Sequence, residues 1–332
     1  MSGAAPTPVL LVLLPGTLLL DLAGIAEPLR IANDLTRASG QPAPFALQML
    51  ADQDAVESSL PLTLGGGQPY PARLPENADA PPWVVLVGTA SRAAVPSGRR
   101  KAAERALLDW LAAVLAPALR AGQARLWTVC AGALIAARAG LLDGRRCTTH
   151  HDHIDELRQL RPQALVQDDR LFVIDGPVAS SAGITAGIDL ALEAIRQHVG
   201  IELANRVARE LVVYRRRAGG DPQLSPLLDH RNHLHAAVHR AQEAVLAKPT
   251  ADWSLQRLAE AAHVSPRHLR RLFRTHAGIG PLHYVQRVRL AMLRQWRDEE
   301  GQGAELAAQR AGFSSARQAR DAARQLAALG LD

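Results

Sequence analysis

Residues 253–278 read WSLQRLAEAAHVSPRHLRRLFRTHAG, and this stretch decides the fold class of the C-terminal third of the chain. From Leu255 onward, leucines and alanines recur at i, i+3, i+4 and i+7, which predicts a helix with one apolar face. After a short break, Ser265 is a good N-cap, and Pro266 occupies the first helical position, where its missing N–H costs nothing. The stretch therefore predicts a short helix, a tight turn and a second, capped helix.

The predicted second helix has a basic outer face. This is the layout of a helix-turn-helix, whose second helix enters the major groove, where arginines bind guanine edges or phosphates. A helical hairpin with solvated arginines is the alternative, and the agreement of cap, spacing and charge favours DNA recognition. The residues predicted to contact double-stranded DNA are Ser265, Arg267, His268, Arg270, Arg271 and Arg274.

A weaker repeat of the same pattern, ELAAQRAGFSSARQARDAARQLAAL, fills residues 305–329. We predict helix-turn-helix units at about 255–276 and 305–327, joined by one connecting helix over Tyr284–Trp296. Alanines stand where large apolar anchors are expected in the second unit, so we expect loose packing there, with base reading left to the first unit. The residues of the second unit predicted to contact DNA are Ser315, Arg317, Arg320 and Arg324, with phosphate contacts expected from the three arginines.

Charge separates the two parts of the chain. Residues 1–213 hold 19 Lys and Arg against 21 Asp and Glu, whereas residues 214–332 hold 19 against 11. A near-neutral front and a basic back indicate that the back binds a polyanion. The chain has only two cysteines, Cys130 and Cys147, so a reducing cytoplasm is the expected compartment. The apolar run Val9–Leu20 is too short to span a bilayer and is predicted to be a buried strand, so no membrane partner is expected.

The first two thirds of the chain alternate short apolar runs with helical stretches, which predicts a parallel α/β sheet. We expect a sensor domain over residues 1–217, a linker over 218–229 and a helical domain over 230–332, with a Gly- and Pro-rich surface loop between residues 61 and 82. The predicted strands are Val9–Leu14, Phe45–Leu50, Trp83–Val87, Arg125–Val129 and Leu171–Ile174. The predicted helices are Asp21–Arg37, Arg100–Arg120, Ala131–Ala139, Ala186–His198 and Ile201–Arg217.

A cysteine follows the fourth predicted strand in RLWTVCAGALIAARAGLLDGRRCTTHH, residues 125–151. A strand that runs into Cys130, small residues and a helix has the pattern of a nucleophile elbow. Helix N–H groups are expected to lower the pKa of such a thiol, with His150 as a candidate partner. A buried cysteine that only packs is the alternative.

The run HHDH at residues 150–153 raises the question of a metal. His151 and His153 can share one side of an extended segment, but the sequence offers no second ligand cluster, so we expect a polar loop and no metal. The sequence has no phosphate-binding loop and no dinucleotide fingerprint, so no cofactor is expected.

The last hundred residues resemble the AraC family DNA-binding domain. The matching motifs are SL..LA..A.VS.RHL.RLF at 254–273, G.GPLHYV at 278–285 and GFSS at 312–315. The resemblance implies a transcription regulator that binds DNA as a homodimer and works with RNA polymerase, activation being the commoner mode in that family.

The front of the chain resembles the PfpI-like branch of the class I glutamine amidotransferase-like superfamily. The matching stretches are LLPGTLLLDLAGIAEPLRIAND at 13–34, VVLVGT at 84–89, the cysteine segment and SSAGITAGIDLALEAI at 180–195. The resemblance implies a flavodoxin-like parallel-sheet sandwich, followed here by an all-α double helix-turn-helix domain. The residues that it implies around one ligand pocket are Asp21, Gly88, Thr89, Cys130, Ala131 and His150.

Two functions are compatible with these features. In the first, the pocket binds a small, nitrogenous metabolite as effector and biases the DNA-binding geometry of a dimer, so the chain is a regulator and not an enzyme. In the second, Cys130 and His150 perform amidase or hydrolase chemistry. A DNA-binding domain fused to the pocket favours the sensor.

Overall fold

The computed structural model describes residues 5–76, 80–90, 97–213, 217–220, 235–300 and 303–330, together with Gln223, His230 and His233. The chain folds as two compact units, Met1–Gln223 and Leu224–Asp332. Of the predicted linker at 218–229, only residues 218–220 and Gln223 are described, and the rest lies outside the described residues. None of the described helices is long and apolar enough to cross a membrane.

The first unit is built on a six-stranded sheet in the order β2-β1-β5-β6-β10-β9, with two further two-stranded sheets, β3-β4 and β7-β8. All pairs in the large sheet are parallel except β10 with β9. The strands are β1 (Thr7–Val12), β2 (Phe45–Leu50), β3 (Ala55–Glu57), β4 (Thr63–Gly65), β5 (Trp83–Leu86), β6 (Arg125–Val129), β7 (Arg146–Cys147), β8 (Leu165–Val166), β9 (Phe172–Asp175) and β10 (Val178–Ser181).

Helices cover both faces of the large sheet. The helices of this unit are α1 (Leu19–Ala38), α2 (Ser97–Trp110), α3 (Ala116–Arg120), α4 (Gly132–Arg138), α5 (Ile154–Leu160), α6 (Ala186–His198) and α7 (Ile201–Glu210). In β1, Val9 and Leu11 join a core with α1, α6 and α7, whereas Leu10 and Val12 join a core with α2, α3 and α4. A strand that is apolar on both faces is typical of a parallel sheet between two helical layers. The predicted α/β sandwich is confirmed.

Several predicted elements of this unit were wrong in detail. The predicted helix over 201–217 ends at Glu210, because Val212 adopts a left-handed φ of 55°, and residues 214–216 lie outside the described residues. β10 was not predicted, although it is an inner strand of the sheet. The predicted loop between residues 61 and 82 contains β4, which pairs with β3.

Helices and the turns that connect them make up the described residues of the second unit. Its helices are α8 (Ala236–Ala247), α9 (Leu255–Ala262), α10 (Pro266–Leu272), α11 (Pro281–Glu300), α12 (Ala304–Arg310) and α13 (Ala316–Ala328). The pairs α9–α10 and α12–α13 correspond to the two predicted helix-turn-helix units, and α11 is the predicted connecting helix, extended at both ends. The alanines of α13 do not leave it unpacked: Ala319 and Ala322 are buried with Phe313, and Leu293 and Trp296 of α11 pack against this cluster. The connecting helix therefore supplies the bulk that α13 lacks.

Candidate functional site

Cys130 lies at a tight turn between β6 and α4. Its φ of 54° is in the left-handed region, a conformation that costs a non-glycine residue about 1–3 kcal/mol and recurs at functional sites. Its backbone N–H donates to the carbonyl oxygen of Ser181 on β10 at 3.0 Å, and its side chain is buried. The strand-to-helix elbow expected from the sequence is therefore present.

Asp21 and Gly88 lie directly against this elbow. Asp21 is fully buried in the first turn of α1, and its Oδ1 atom accepts a hydrogen bond from the backbone N–H of Ile184 at 2.6 Å. A Cβ atom placed on Gly88 would lie 2.5 Å from Asp21 Oδ2 and 3.1 Å from Cys130 Cβ. Three of the six residues expected around the pocket are thus within contact distance of one another, and only glycine fits between them.

The other three expected residues lie at the margin of this cluster. Ala131 is partly exposed and immediately precedes α4, while Thr89 Oγ1 accepts a hydrogen bond from Arg100 at 2.9 Å. His150 is half-buried and follows Thr149, whose hydroxyl donates to the carbonyl oxygen of Cys130 at 2.8 Å. Within the described part of the chain, no hydrogen bond joins His150 to Cys130, so the structure does not show the thiol–imidazole pair.

The electrostatics of the elbow contradict one expectation. Burial raises the pKa of the Cys130 thiol to about 12, with the nearby charge of Asp21 as the second cause, and the N–H of Ala131 offsets only part of this rise. The sequence-based expectation of a lowered thiol pKa was therefore wrong, because desolvation outweighs the helix N-terminus. Burial also raises the pKa of Asp21, although the N–H of Ile184 opposes that shift.

The histidines after the elbow are grouped around one carboxylate. Ligand-type atoms of His150, His151 and Asp152 all lie within 4.8 Å of one another. Asp152 lies 3.5 Å from Nδ1 of His150 and 3.1 Å from Nδ1 of His151, so it interacts with both rings. Burial and the neighbouring histidines lower the pKa of His150, which favours its neutral form. The expectation of no metal here stays a prediction.

Gly183 was not predicted to belong to the site, although it borders Cys130. Its φ is +90°, and a Cβ atom there would lie 2.3 Å from Cys130 Cβ and 3.0 Å from Cys130 Sγ. The turn that it forms also presents the N–H of Ile184 to Asp21. The only sequence signal was the glycine in SSAGIT, which the motif contains without indicating what it contacts.

The first helix-turn-helix leaves its basic side chains exposed. Ser265 caps α10 by accepting a hydrogen bond from the N–H of His268, and His263 ends α9 in the left-handed conformation. Leu269, Leu272 and Phe273 are buried in the helical core. Arg267, His268, Arg270, Arg271 and Arg274 are exposed, and within the described ranges none of these arginines is paired with a carboxylate. Their charges therefore remain available to a polyanion.

The second helix-turn-helix has a weaker basic face. Ser315 caps α13 by accepting from the N–H of Gln318 at 3.2 Å, and the three predicted arginines are exposed. Asp321 lies 4.0 Å from Arg317 and 3.7 Å from Arg324, so two of these arginines are partly neutralised. The prediction that this unit contributes phosphate contacts remains to be tested.

Comparison with known proteins agrees with both units. A helix-turn-helix domain family model matches residues 258–329, and the DJ-1/PfpI family model matches residues 94–197. The HTH-type transcriptional regulator CdhR of Pseudomonas aeruginosa is 30% identical over 305 residues, which cover 85% of this chain and 78% of CdhR. GbdR, an HTH-type transcriptional regulator of the same species, is 31% identical over 286 residues, which cover 85% of this chain and 71% of GbdR. Isonitrile hydratase of Pseudomonas putida is 44% identical over 93 residues, 28% of this chain and 40% of the hydratase.

The fold, the basic helix and these similarities define a DNA-binding transcription regulator with an N-terminal α/β domain. The chain belongs to the family of AraC-type HTH transcriptional regulators that carry an N-terminal DJ-1/PfpI domain.

Proposed function

We propose that a small nitrogenous metabolite binds in the pocket beside Cys130 and thereby changes the affinity of a homodimer for DNA. The proposal depends mainly on one observation: Asp21 and Cys130 converge at a buried elbow that retains hydrogen-bonding capacity. Asp21 Oδ2 and Ser181 Oγ are both buried without a hydrogen bond of ordinary geometry among the described residues, and the Cys130 thiol and the Gly88 N–H both interact with the Asp21 carboxylate. A buried polar atom without a partner costs about 1–3 kcal/mol, so a ligand with N–H or O–H donors gains affinity by pairing with them.

In this proposal the pocket binds a ligand and is not a catalytic centre. The residues proposed to form it are Asp21, Gly88, Thr89, Cys130, Ala131 and His150. Burial raises the pKa of the Cys130 thiol, which favours its protonated form. Since the thiolate is the nucleophilic form, this environment disfavours covalent catalysis. The cysteine-dependent hydrolase remains the second candidate, because the elbow is present and one similar protein is named a hydratase.

The proposed binding of a metabolite is tested by a thermal-shift screen of the full chain against nitrogenous compounds, since a ligand that binds only the folded state raises the unfolding midpoint. The expected result is a nitrogenous compound that raises the midpoint of the wild type and has no effect on D21A. If no compound both shifts the midpoint and alters DNA affinity, the effector proposal is wrong. With the hit as substrate, C130S separates the two candidates: a sensor variant still responds, whereas a hydrolase variant loses all turnover.

For DNA binding we propose the residues that the sequence predicts, with most base reading by α10, a DNA contact by Ser315 and phosphate contacts by Arg317, Arg320 and Arg324. A duplex selected from a random library by the wild-type chain provides the probe. We expect R270A or R271A to weaken binding to it by about 1–3 kcal/mol if the arginine reads a base. R206A, which removes an exposed arginine of the sensor unit, is the matched control. Unchanged affinity of both α10 variants for the duplex would show that α10 does not lie in the major groove.

The proposal also includes self-association through the sensor unit and contact with RNA polymerase at the promoter, both by analogy with the AraC family. Paired helix-turn-helix domains fit repeated half-sites that lie whole helical turns apart. Sedimentation of the chain alone and with the selected duplex measures the stoichiometry directly. A single chain per duplex at saturating protein would contradict the dimer.

A further inference from the structure

The segment that leaves the sensor unit is hydrogen-bonded to the two segments that flank the Cys130 elbow. We call its described residues, 217–220 and Gln223, the strap. The strap follows α7 in the chain and leads toward the DNA-binding unit, and the sequence predicts most of it to be linker. A free linker is expected to make few contacts with the domain that precedes it, whereas the strap makes several specific ones.

At its first end, the strap is bound beside the Gly183 turn. Arg217 forms an ion pair with Asp189 of α6: its Nε atom at 2.9 Å and its Nη2 atom at 2.6 Å both donate to Asp189 Oδ2. The backbone N–H of Arg217 donates to Oδ1 of the same carboxylate at 3.1 Å. The Asp189 side chain is only 4% exposed. Arg217 Nη2 also donates to the hydroxyl of Thr185, which directly follows Ile184, the residue that binds Asp21.

At its other end, the strap is bound to the segment that precedes His150. The Gln223 Nε2 atom donates to the carbonyl oxygen of Thr149 at 2.8 Å and lies 3.3 Å from the hydroxyl of Thr148. Thr149 in turn donates to the carbonyl oxygen of Cys130. The Gln223 Oε1 atom is buried without a hydrogen-bond partner among the described residues.

Between these ends, the strap packs closely on the edge strand of the sheet. A Cβ atom on Gly219 would lie 2.6 Å from the carbonyl oxygen of Phe172, so only glycine allows this approach. Arg170 donates to the carbonyl oxygen of Gly220 at 2.6 Å. The backbone N–H of Cys130 donates to Ser181, and its carbonyl oxygen accepts from Thr149. The strap is hydrogen-bonded to both of the segments that contain these partners, through Arg217 to Thr185 and through Gln223 to Thr149.

We infer that Arg217 and Gln223 are positioning residues that couple the Cys130 pocket to the DNA-binding unit. The inference rests on the proposed function, because it supplies the route by which an occupied pocket changes DNA affinity. A ligand beside Cys130 displaces the Gly183 turn or the Thr149 segment, and either displacement changes the hydrogen bonds that hold the strap. Because energetic coupling is reciprocal, DNA binding must then alter the elbow as well.

The test measures alkylation of Cys130 by iodoacetamide, followed by mass spectrometry of the Cys130 peptide, with and without the selected duplex. In the wild type, we expect saturating duplex to change the alkylation rate by about 5- to 150-fold, the typical range of allosteric coupling. Q223A and R217K are expected to abolish this difference. R217K retains the positive charge beside buried Asp189, so it does not leave that carboxylate without a cationic partner. Both variants must first show the wild-type melting profile.

The matched control is Q123A, which removes an exposed glutamine amide from the same unit and keeps the wild-type difference. A residue with a purely structural role would change alkylation equally with and without DNA. The inference is overturned if the wild type shows no DNA-dependent change, or if Q223A and R217K both retain it. Because no metabolite is used, failure to find an effector and failure of the coupling are separate results.

Discussion

Replacing Gly183 by alanine tests how closely the Gly183 turn packs against Cys130. The added Cβ atom would lie 2.3 Å from Cys130 Cβ and 2.9 Å from Cys130 Cα. The second contact is with the backbone, so no change of side-chain rotamer relieves it. The residue also has a φ of +90°, which L-residues rarely adopt.

The expected loss of stability has two parts. A non-glycine residue in such a conformation costs about 1–3 kcal/mol. Forcing an extra methyl group into a packed site typically costs another ~1–3 kcal/mol. For a unit of this size, each kcal/mol lowers the melting temperature by about 2–4 °C. We therefore expect G183A to lower the melting temperature of the sensor unit by about 4–24 °C.

The assay is thermal unfolding followed by near-ultraviolet circular dichroism, with G40A as the matched control. Gly40 also has a positive φ, of +74°, but a Cβ atom there would meet nothing within 4 Å. G40A therefore carries the conformational cost alone, and the difference between the variants measures the crowding at Cys130. Removing the Cys130 side chain as well, in C130G/G183A, should restore part of the loss. Equal destabilisation by G183A and G40A would refute the close approach of this turn to Cys130.

Three further predictions concern groups already described. Burial raises the pKa of Asp21 above its ordinary value of 3.8, so the wild type loses stability as pH rises from about 4 through the raised folded pKa. D21N lacks this loss. In urea unfolding over a pH series, the free energy of unfolding of D21N relative to the wild type should therefore rise over that window and then level off. A difference between the two proteins that does not change with pH would contradict this. The Cys130 thiol has its pKa raised to about 12, so its alkylation rate should rise about tenfold per pH unit with no plateau below about pH 10; a plateau near neutral pH would reveal a thiolate. S265A removes the cap of α10 and should lower the free energy of unfolding of the DNA-binding unit by about 1 kcal/mol in urea titrations, and no change would mean that the cap is not formed in solution.

Elements with strong local patterns could be predicted from the sequence. β2 and β6 have the predicted bounds, because each is an apolar run set apart by breaking residues, and α6 follows one clear helical period. The cap at Ser265 and the proline after it mark the start of α10. In these segments the residues that decide the structure lie within a few positions of one another.

The missed elements depend on distant parts of the chain. β10 consists of Val178 and small residues, and it becomes a strand through parallel pairing with β6, about fifty residues earlier. The helical pattern of α7 continues past its end in the sequence, whereas the structure ends the helix just before Val212 takes a left-handed φ. Neither outcome has a local signal strong enough to predict it.

The position of the candidate site could be predicted from the sequence, whereas the pKa of its thiol could not. The elbow motif locates Cys130 at a strand-to-helix turn, and the resemblance brings Asp21 and Gly88 beside it. The thiol pKa, however, depends on burial by residues from several strands and on the charge of Asp21, which a pattern around the cysteine does not contain. Arg217 and Gln223 were assigned to a helix end and a linker, so the contacts of the strap were also not foreseen.

The protonated thiol bears directly on the choice between sensor and enzyme. With its pKa raised to about 12 by burial and by the charge of Asp21, the thiol is mostly protonated at neutral pH, and the thiolate needed for attack is a minor species. An enzyme offsets this with a base within hydrogen-bond reach of the nucleophile. Among the described residues His150 makes no hydrogen bond to Cys130, whereas the carboxylate of Asp21 is hydrogen-bonded to the thiol and contributes to its raised pKa. A neutral S–H group beside the buried Asp21 carboxylate is suited to reversible hydrogen bonding with a ligand, as the proposed sensor requires.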